Sequence, residues 1–182
     1  MPIERSSRWL SPERIATTAR RLLDASTLCA IATVSRAGKA HVNTAYFAWT
    51  RGFDIVWLSD PGARHSRNLR GDPTIAIAVY DSSQVWGEPD RGIQLFGSAR
   101  QALGDAARDA KGTYAKRFPA FDETDVGGYR FYRLRPRRMK LFDERRLGTG
   151  VFVSATVRRD GSVAWERTEI YHARAKPDLR PD

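Results

Sequence analysis

Between residues 28 and 103 the chain repeatedly sets a short run of β-branched and small apolar residues against a tight turn. No other feature constrains the fold as much. "LCAIATVS" (28–35), the turn "RAGK" and "AHVNTAYFAWT" read as a hairpin, and "TRGFD" then leads into "IVWLS" (55–59) to complete a three-stranded meander. "TIAIAVY" (74–80) and "GIQLFGSARQAL" (92–103) are further strands, separated by the polar loop "DSSQVWGEPDR". Downstream, "YRFYRLR" and "RMKLFD" read as two strands with Pro136 between them, and "VFVSATVRR-DG-SVAWERTEI" as a hairpin closed by Asp-Gly.

Two helices interrupt this pattern. Ser11 suits an N-cap, Pro12 the first helical position and Glu13 the positive end of the dipole. Ile15, Ala19, Leu22 and Leu23 then form one apolar stripe. Farther along, Ala107, Ala110, Tyr114 and Phe118 recur at helical spacing until Pro119 ends the segment. About eight mostly hairpin-joined strands with two helices predict a mainly β fold, a β-barrel with peripheral helices. The 182 residues suit one domain, residues 1–172 with the N-terminal helix, followed by a polar, flexible tail at 173–182.

Several function classes are disfavoured. His41, His65 and His172 are scattered and Cys29 is the one cysteine, so no metal site is expected, and Cys29 reads as a buried small hydrophobe. There is no GxSxG elbow, no Walker A loop and no GxGxxG after a strand. No apolar run reaches the roughly 18 residues of a membrane span, and the charged N-terminus lacks a signal core, so a cytoplasmic location is expected. The net charge of +10 favours anionic ligands. Of the 31 basic residues 26 are arginine, and they are spread along the chain with one dense cluster at Arg130–Arg146, so nucleic acid is not expected as the main partner.

The segment "LSDPGARHSRNLRGDP" (58–73) holds one or two helical turns, stopped by Gly71 and Pro73. On pattern alone a solvated loop is the first reading and an anion site the second. In the second case free backbone N–H groups, Arg64 and His65 would meet phosphate oxygens. Arg67 and Arg70, three residues apart, would share a face directed to solvent.

The run from "TLCAIATVS" through "SDPGARHSRNLRGDPTIAIAVYD" to "GIQLFGSARQ" resembles the FMN-binding split β-barrel family, which includes the pyridoxamine 5′-phosphate oxidases. The match covers about Ser26 to Leu103. The C-terminal "GTYAKRFPAF" and "LFDERRLGTG" look more like an uncharacterised subgroup. The resemblance implies a flavin-dependent oxidoreductase, a homodimer with FMN between two barrels, and a small-molecule substrate. It also implies roles for particular residues. Arg64 and His65 fall on the Arg-Lys pair that grips the cofactor phosphate, with His in place of Lys and Ala63 in place of the usual Ser. Ser59 heads the same loop and joins the cofactor-binding set. Asn43, Thr44 and Ala45 face the isoalloxazine ring. Asn68 and Leu69 pack the loop on the barrel, and Gln94 reaches the flavin. Trp86 is either an aromatic lid or a barrel-rim packing residue. Tyr46, Phe47 and Trp49 alternate between the core and an interface, and Arg145 and Arg146 are candidates for reaching a partner's site. No catalytic residue is assigned; His41 and Tyr46 are the nearest candidates for an acid or base. No substrate-phosphate set is visible near the C-terminus, so the oxidase activity on pyridoxal phosphates is not expected. The alternatives are an enzyme of the same fold using deazaflavin or haem, the latter with His65 or His172 as axial ligand, a non-catalytic flavin-binding module, and a cofactor-free anion or nucleic-acid binder.

Overall fold

Alternation of buried and exposed residues along short strands closes this chain into a barrel. The computed structural model describes residues 3–122 and 124–172. Its strands are β1 (Ile3–Ser6), β2 (Leu28–Val34), β3 (Ala40–Trp49), β4 (Ile55–Ser59), β5 (Thr74–Tyr80), β6 (Arg91–Gln101), β7 (Arg130–Asp143), β8 (Val151–Val157) and β9 (Val163–Tyr171). The helices are α1 (Pro12–Asp24), α2 (Arg64–Gly71), α3 (Asp105–Arg117) and α4 (Glu144–Leu147). The strand order is β1-β9-β8-β7-β4-β3-β2-β5-β6, and β6 pairs back onto β7 to close a six-stranded barrel. β8, β9 and β1 continue the sheet outside it. The expected β-barrel with peripheral helices is what forms, and β2, β3 and β4 are the expected meander. The tail expected at 173–182 lies outside the described residues.

β7 makes the split. Its Arg130–Leu134 half pairs with β4, its Arg138–Phe142 half pairs with β8, and β6 runs along both. The sequence reads here as two strands because proline removes a ladder donor; the structure has one strand of 14 residues. Pro136 is accommodated because it lies opposite Gly97, where the β6–β7 register shifts. A side chain at Gly97 would overlap the Arg135 carbonyl oxygen, so glycine is required there. β1 is an addition to the expected strands. "IERS" has no clear alternation, and its partner, Thr168–Tyr171, lies at the far end of the sequence.

Inside the barrel Phe47, Ile31, Trp57, Ile77, Leu95, Tyr132 and Leu134 are essentially inaccessible to water. Each such side chain contributes roughly 1.5–3 kcal/mol by leaving water. α1 is capped as expected, with Ser11 Oγ accepting from the Arg14 amide at 3.3 Å, and it buries Ile15, Ala19, Leu22 and Leu23 with Thr18 against this core. α3 buries little, Ala110 and Tyr114, and Tyr114 joins Phe118, Phe121 and Phe131 in a second small aromatic cluster. Among the described residues no helix is long and apolar enough to cross a membrane.

Candidate functional site

The turn before α2 is built by its own side chains. Asp60 accepts the Gly62 amide on Oδ1 at 2.6 Å and the Ala63 amide on its carbonyl at 3.0 Å. The helix therefore starts at Arg64, with Ala63 at the N-cap offering no side-chain oxygen to the first-turn N–H groups. Arg64 projects into solvent, and no described residue hydrogen-bonds or ion-pairs with it. An uncapped helix start beside an unengaged guanidinium favours an anion.

His65 does not share that exposure. It is buried, its Nε2 lies 2.7 Å from Ser59 Oγ, and its ring stacks on His41 with centroids 6.4 Å apart and planes within 4°. Burial lowers its pKa, and the charge His41 can carry lowers it further, so the neutral imidazole is favoured. Ser66, fully buried, lies 3.5 Å from the same Ser59 hydroxyl. Arg67 and Arg70 are exposed as expected, but their guanidinium groups turn back and donate to Gly62 O at 2.5 Å and Pro61 O at 2.8 Å. They hold the turn in shape. Asn68 Nδ2 donates to Thr33 Oγ1 at 3.0 Å, and Leu69 is buried beside it, so α2 is pinned onto β2.

The His41–His65 stack brings the start of α2 next to β3. There the sheet is incomplete: of β3, only Phe47–Trp49 pairs with β4, and among the described residues one edge of Ala40–Tyr46 has no strand partner. Asn43 sits on this stretch, with Nδ2 donating weakly to Thr44 O at 3.3 Å and Oδ1 buried without a partner. A buried, unsatisfied acceptor carries a cost of about 1–3 kcal/mol, which a ligand donor would remove. Ala45 packs against the core and pairs with Cys29, whose thiol burial pushes up to about 12.

Thr44 points the other way. Pairing places it in one row with Ala30, Ala78, Gln94 and Lys140 on the outer face of β3, β2, β5, β6 and β7. Small residues line this face, and Leu28, Val34, Val42, Tyr46 and Tyr80 are exposed around them. At its Leu28 end opens a pocket of about 480 Å³ lined by Asp24, Ser26, Leu28, Ala30, Thr44 and Tyr80. Gln94, three strands from Thr44, is about 14 Å away at normal strand spacing. The structure thus gathers Ser59, Arg64, His65 and Asn68 at the start of α2 against His41 and Thr33, places Asn43 and then Ala45 farther along β3 from His41, and leaves Thr44 and Gln94 on the outer face and Trp86 in the loop after β5.

Trp86 is 98% exposed, so among the described residues its indole is neither packed on the barrel rim nor closed over a site of its own chain. Tyr46 is exposed against Phe118, Phe47 is buried and Trp49 is half-buried. Arg145 is exposed, Arg146 lies 3.9 Å from Asp143, and His172 Nε2 lies 2.9 Å from Glu4. Sequence reasoning missed Thr33 and Ser66, which hold α2 and Ser59. A small polar residue within an otherwise apolar strand, as in "IATV", was the available signal for Thr33.

A family model described as pyridoxamine 5′-phosphate oxidase matches residues 15–143. No curated protein matches the sequence. Solved structures share the fold. A haem-binding protein from Mycobacterium smegmatis superposes with a TM-score of 0.65 at 22% identity, over 83% of this chain and 60% of that one. This chain therefore spans less than two thirds of that protein. A member of the pyridoxine-phosphate oxidase family from Clostridium acetobutylicum gives 0.58 at 11% identity, over 81% and 97%. An F420 reductase gives 0.52 at 20%, over 66% and 94%.

Proposed function

Because this chain belongs to the pyridoxamine 5′-phosphate oxidase family, we propose that it binds FMN as a homodimer and works as an oxidoreductase on a small molecule. The observation that carries this reading is Asn43 Oδ1, buried and unpartnered on an unpaired strand edge, two residues along β3 from His41, whose ring stacks on His65 at the uncapped start of α2 beside Arg64. One acceptor and one anion site linked in this way suit a ligand with a polar ring and a phosphate.

When bound, the flavin supplies hydride-transfer chemistry; the protein's part is binding, orientation and exclusion of water. Arg64 and the first-turn amides of α2 hold the phosphate. Asn43 accepts from the ring, and Asn68, Arg67 and Arg70 keep α2 and its turn in position for both. His65, neutral and engaged with Ser59, adds no charge, so the phosphate rests on a single guanidinium. The outer face, with its exposed Leu28, Val42, Tyr46 and Tyr80, is covered by the second copy. Gln94 then serves the site across that interface rather than the site of its own chain.

Haem and deazaflavin are the rival cofactors suggested by the named fold relatives. The two imidazoles considered as haem ligands already have Nε2 committed, to Ser59 in His65 and to Glu4 in His172, which favours the flavin. The test is the absorption spectrum and ligand mass of the purified protein, repeated after incubation with FMN, F420 and haemin separately. A flavin spectrum with FMN released on denaturation is expected. A Soret band, or retention of F420 alone, overturns the assignment.

A further inference from the structure

The loop joining β5 to β6, residues 81–90, differs in charge from the rest of the molecule. "DSSQVWGEPD" carries Asp81, Glu88 and Asp90 and no cation, in a chain of net charge +10. Its base is tied down. Gln84 bonds Asp81 O at 2.9 Å and accepts the Arg91 amide at 2.7 Å, and the Asp90 carbonyl accepts the Glu144 amide at 2.9 Å. From this pinned base the tip holds Val85 65% and Trp86 98% exposed. A tryptophan held out by a braced loop is an anchor in search of a pocket.

A complementary groove lies on the same chain, at the other end of the strands, where α2 meets the β2–β3 turn. Arg36, in the β2–β3 turn, lies against Gly71 of α2, and with Arg67 and Arg70 it lines a groove of about 200 Å³. The pairing fixes the two ends. Tyr80, where the acidic loop begins, adjoins Leu28, whereas Thr74, just after α2, adjoins Val34 and the β2–β3 turn. Six residue steps of β5 separate them, about 20 Å. Loop and groove therefore cannot meet within one chain.

We infer that the Trp86 loop docks into the Arg36–Arg67–Arg70 groove of a second copy. A two-fold axis lying in the plane of the interface and perpendicular to the strands brings two such faces together and exchanges their ends, so each acidic loop meets the partner's arginines, twice per dimer. Carboxylates then face guanidinium groups, and the indole lies on an arginine. The apolar centre, from Ala30 and Ala78 to Tyr46 and Tyr80, closes between the two contacts. This inference rests on the dimer proposed above and adds which segment of the partner reaches the α2 corner.

The experiment uses the full chain. Light scattering gives the oligomeric state of the wild type, and a Trp86→Cys/Arg36→Cys double variant is oxidised and run on a non-reducing gel. Cys29 is buried and does not compete. A dimer by scattering together with a covalent dimer on the gel is expected. Trp86→Ala should raise the dimer dissociation constant tenfold or more with the melting profile of the diluted monomer unchanged. Arg36→Glu and Glu88→Arg should each weaken the dimer and together restore it. A wild-type dimer that neither cross-links nor responds to these variants overturns the loop docking and leaves the dimer standing. A monomer overturns both.

Discussion

The imidazole Nε2 of His65 lies 2.7 Å from the hydroxyl of Ser59. At the position where the family resemblance implies a phosphate-gripping lysine, this chain keeps a ring turned inward and engaged. Burial and His41 hold its pKa below the ordinary 6.5. The unfolded chain therefore binds more protons than the folded one between 6.5 and that lowered value. Stability contributed by the neutral ring is complete above 6.5 and is lost as pH falls through this window. His65→Gln, which can still bond Ser59, should flatten that part of the curve. Urea unfolding of both proteins from about pH 7.5 to 5.5 checks it; parallel curves refute it.

Asn68 and Thr33 join two buried polar side chains across 3.0 Å and pin α2 to β2. Asn68→Ala leaves the threonine hydroxyl without its partner, at a cost of about 1–3 kcal/mol. Because α2 carries Arg64, FMN affinity should fall along with stability. Thr33→Val/Asn68→Leu, which removes both polar groups, should recover stability better than affinity. Denaturant unfolding and FMN titration of the same samples separate the two.

Gly97→Ala should destabilise the barrel by about 1–3 kcal/mol, because the added methyl meets backbone atoms of Arg135 and Pro136 that cannot swing away. Gly112→Ala, on an exposed helical surface with no atom within 4 Å of the added carbon, should instead be neutral or stabilising. Chemical denaturation of both checks the contrast.

Cys29 should be inert in the native protein, since its thiol is buried and shifted up to about 12. A disulfide reagent should label it only after unfolding. Labelling of the native protein at the unfolded rate would show that the β2–β3 end opens to solvent.

The barrel was legible because its strands are short, β-branched and separated by glycine-bearing turns, so each pairing is announced locally. β1 was not legible, because its pairing depends on a segment at the other end of the chain. β7 was divided in two because a proline in a strand reads as a break, and only the opposing Gly97 shows that it is tolerated. At the corner of the barrel the residue types pointed to an anion site. Whether His65 faced it depended on which side of α2 the barrel covers, and that is set by Asn68 and Leu69 packing on β2. Arg67 and Arg70 read as surface residues because their partners are backbone carbonyls, which carry no sequence signal.

The central claim is that the α2 corner holds the phosphate of FMN through Arg64. It is tested most directly by titrating wild type and Arg64→Ala with FMN and with riboflavin, following flavin fluorescence. Loss of one charge-assisted contact, worth about 1.5–3 kcal/mol, should weaken FMN roughly 10- to 150-fold and leave riboflavin nearly unchanged. Equal losses for both ligands, or none for either, would contradict it.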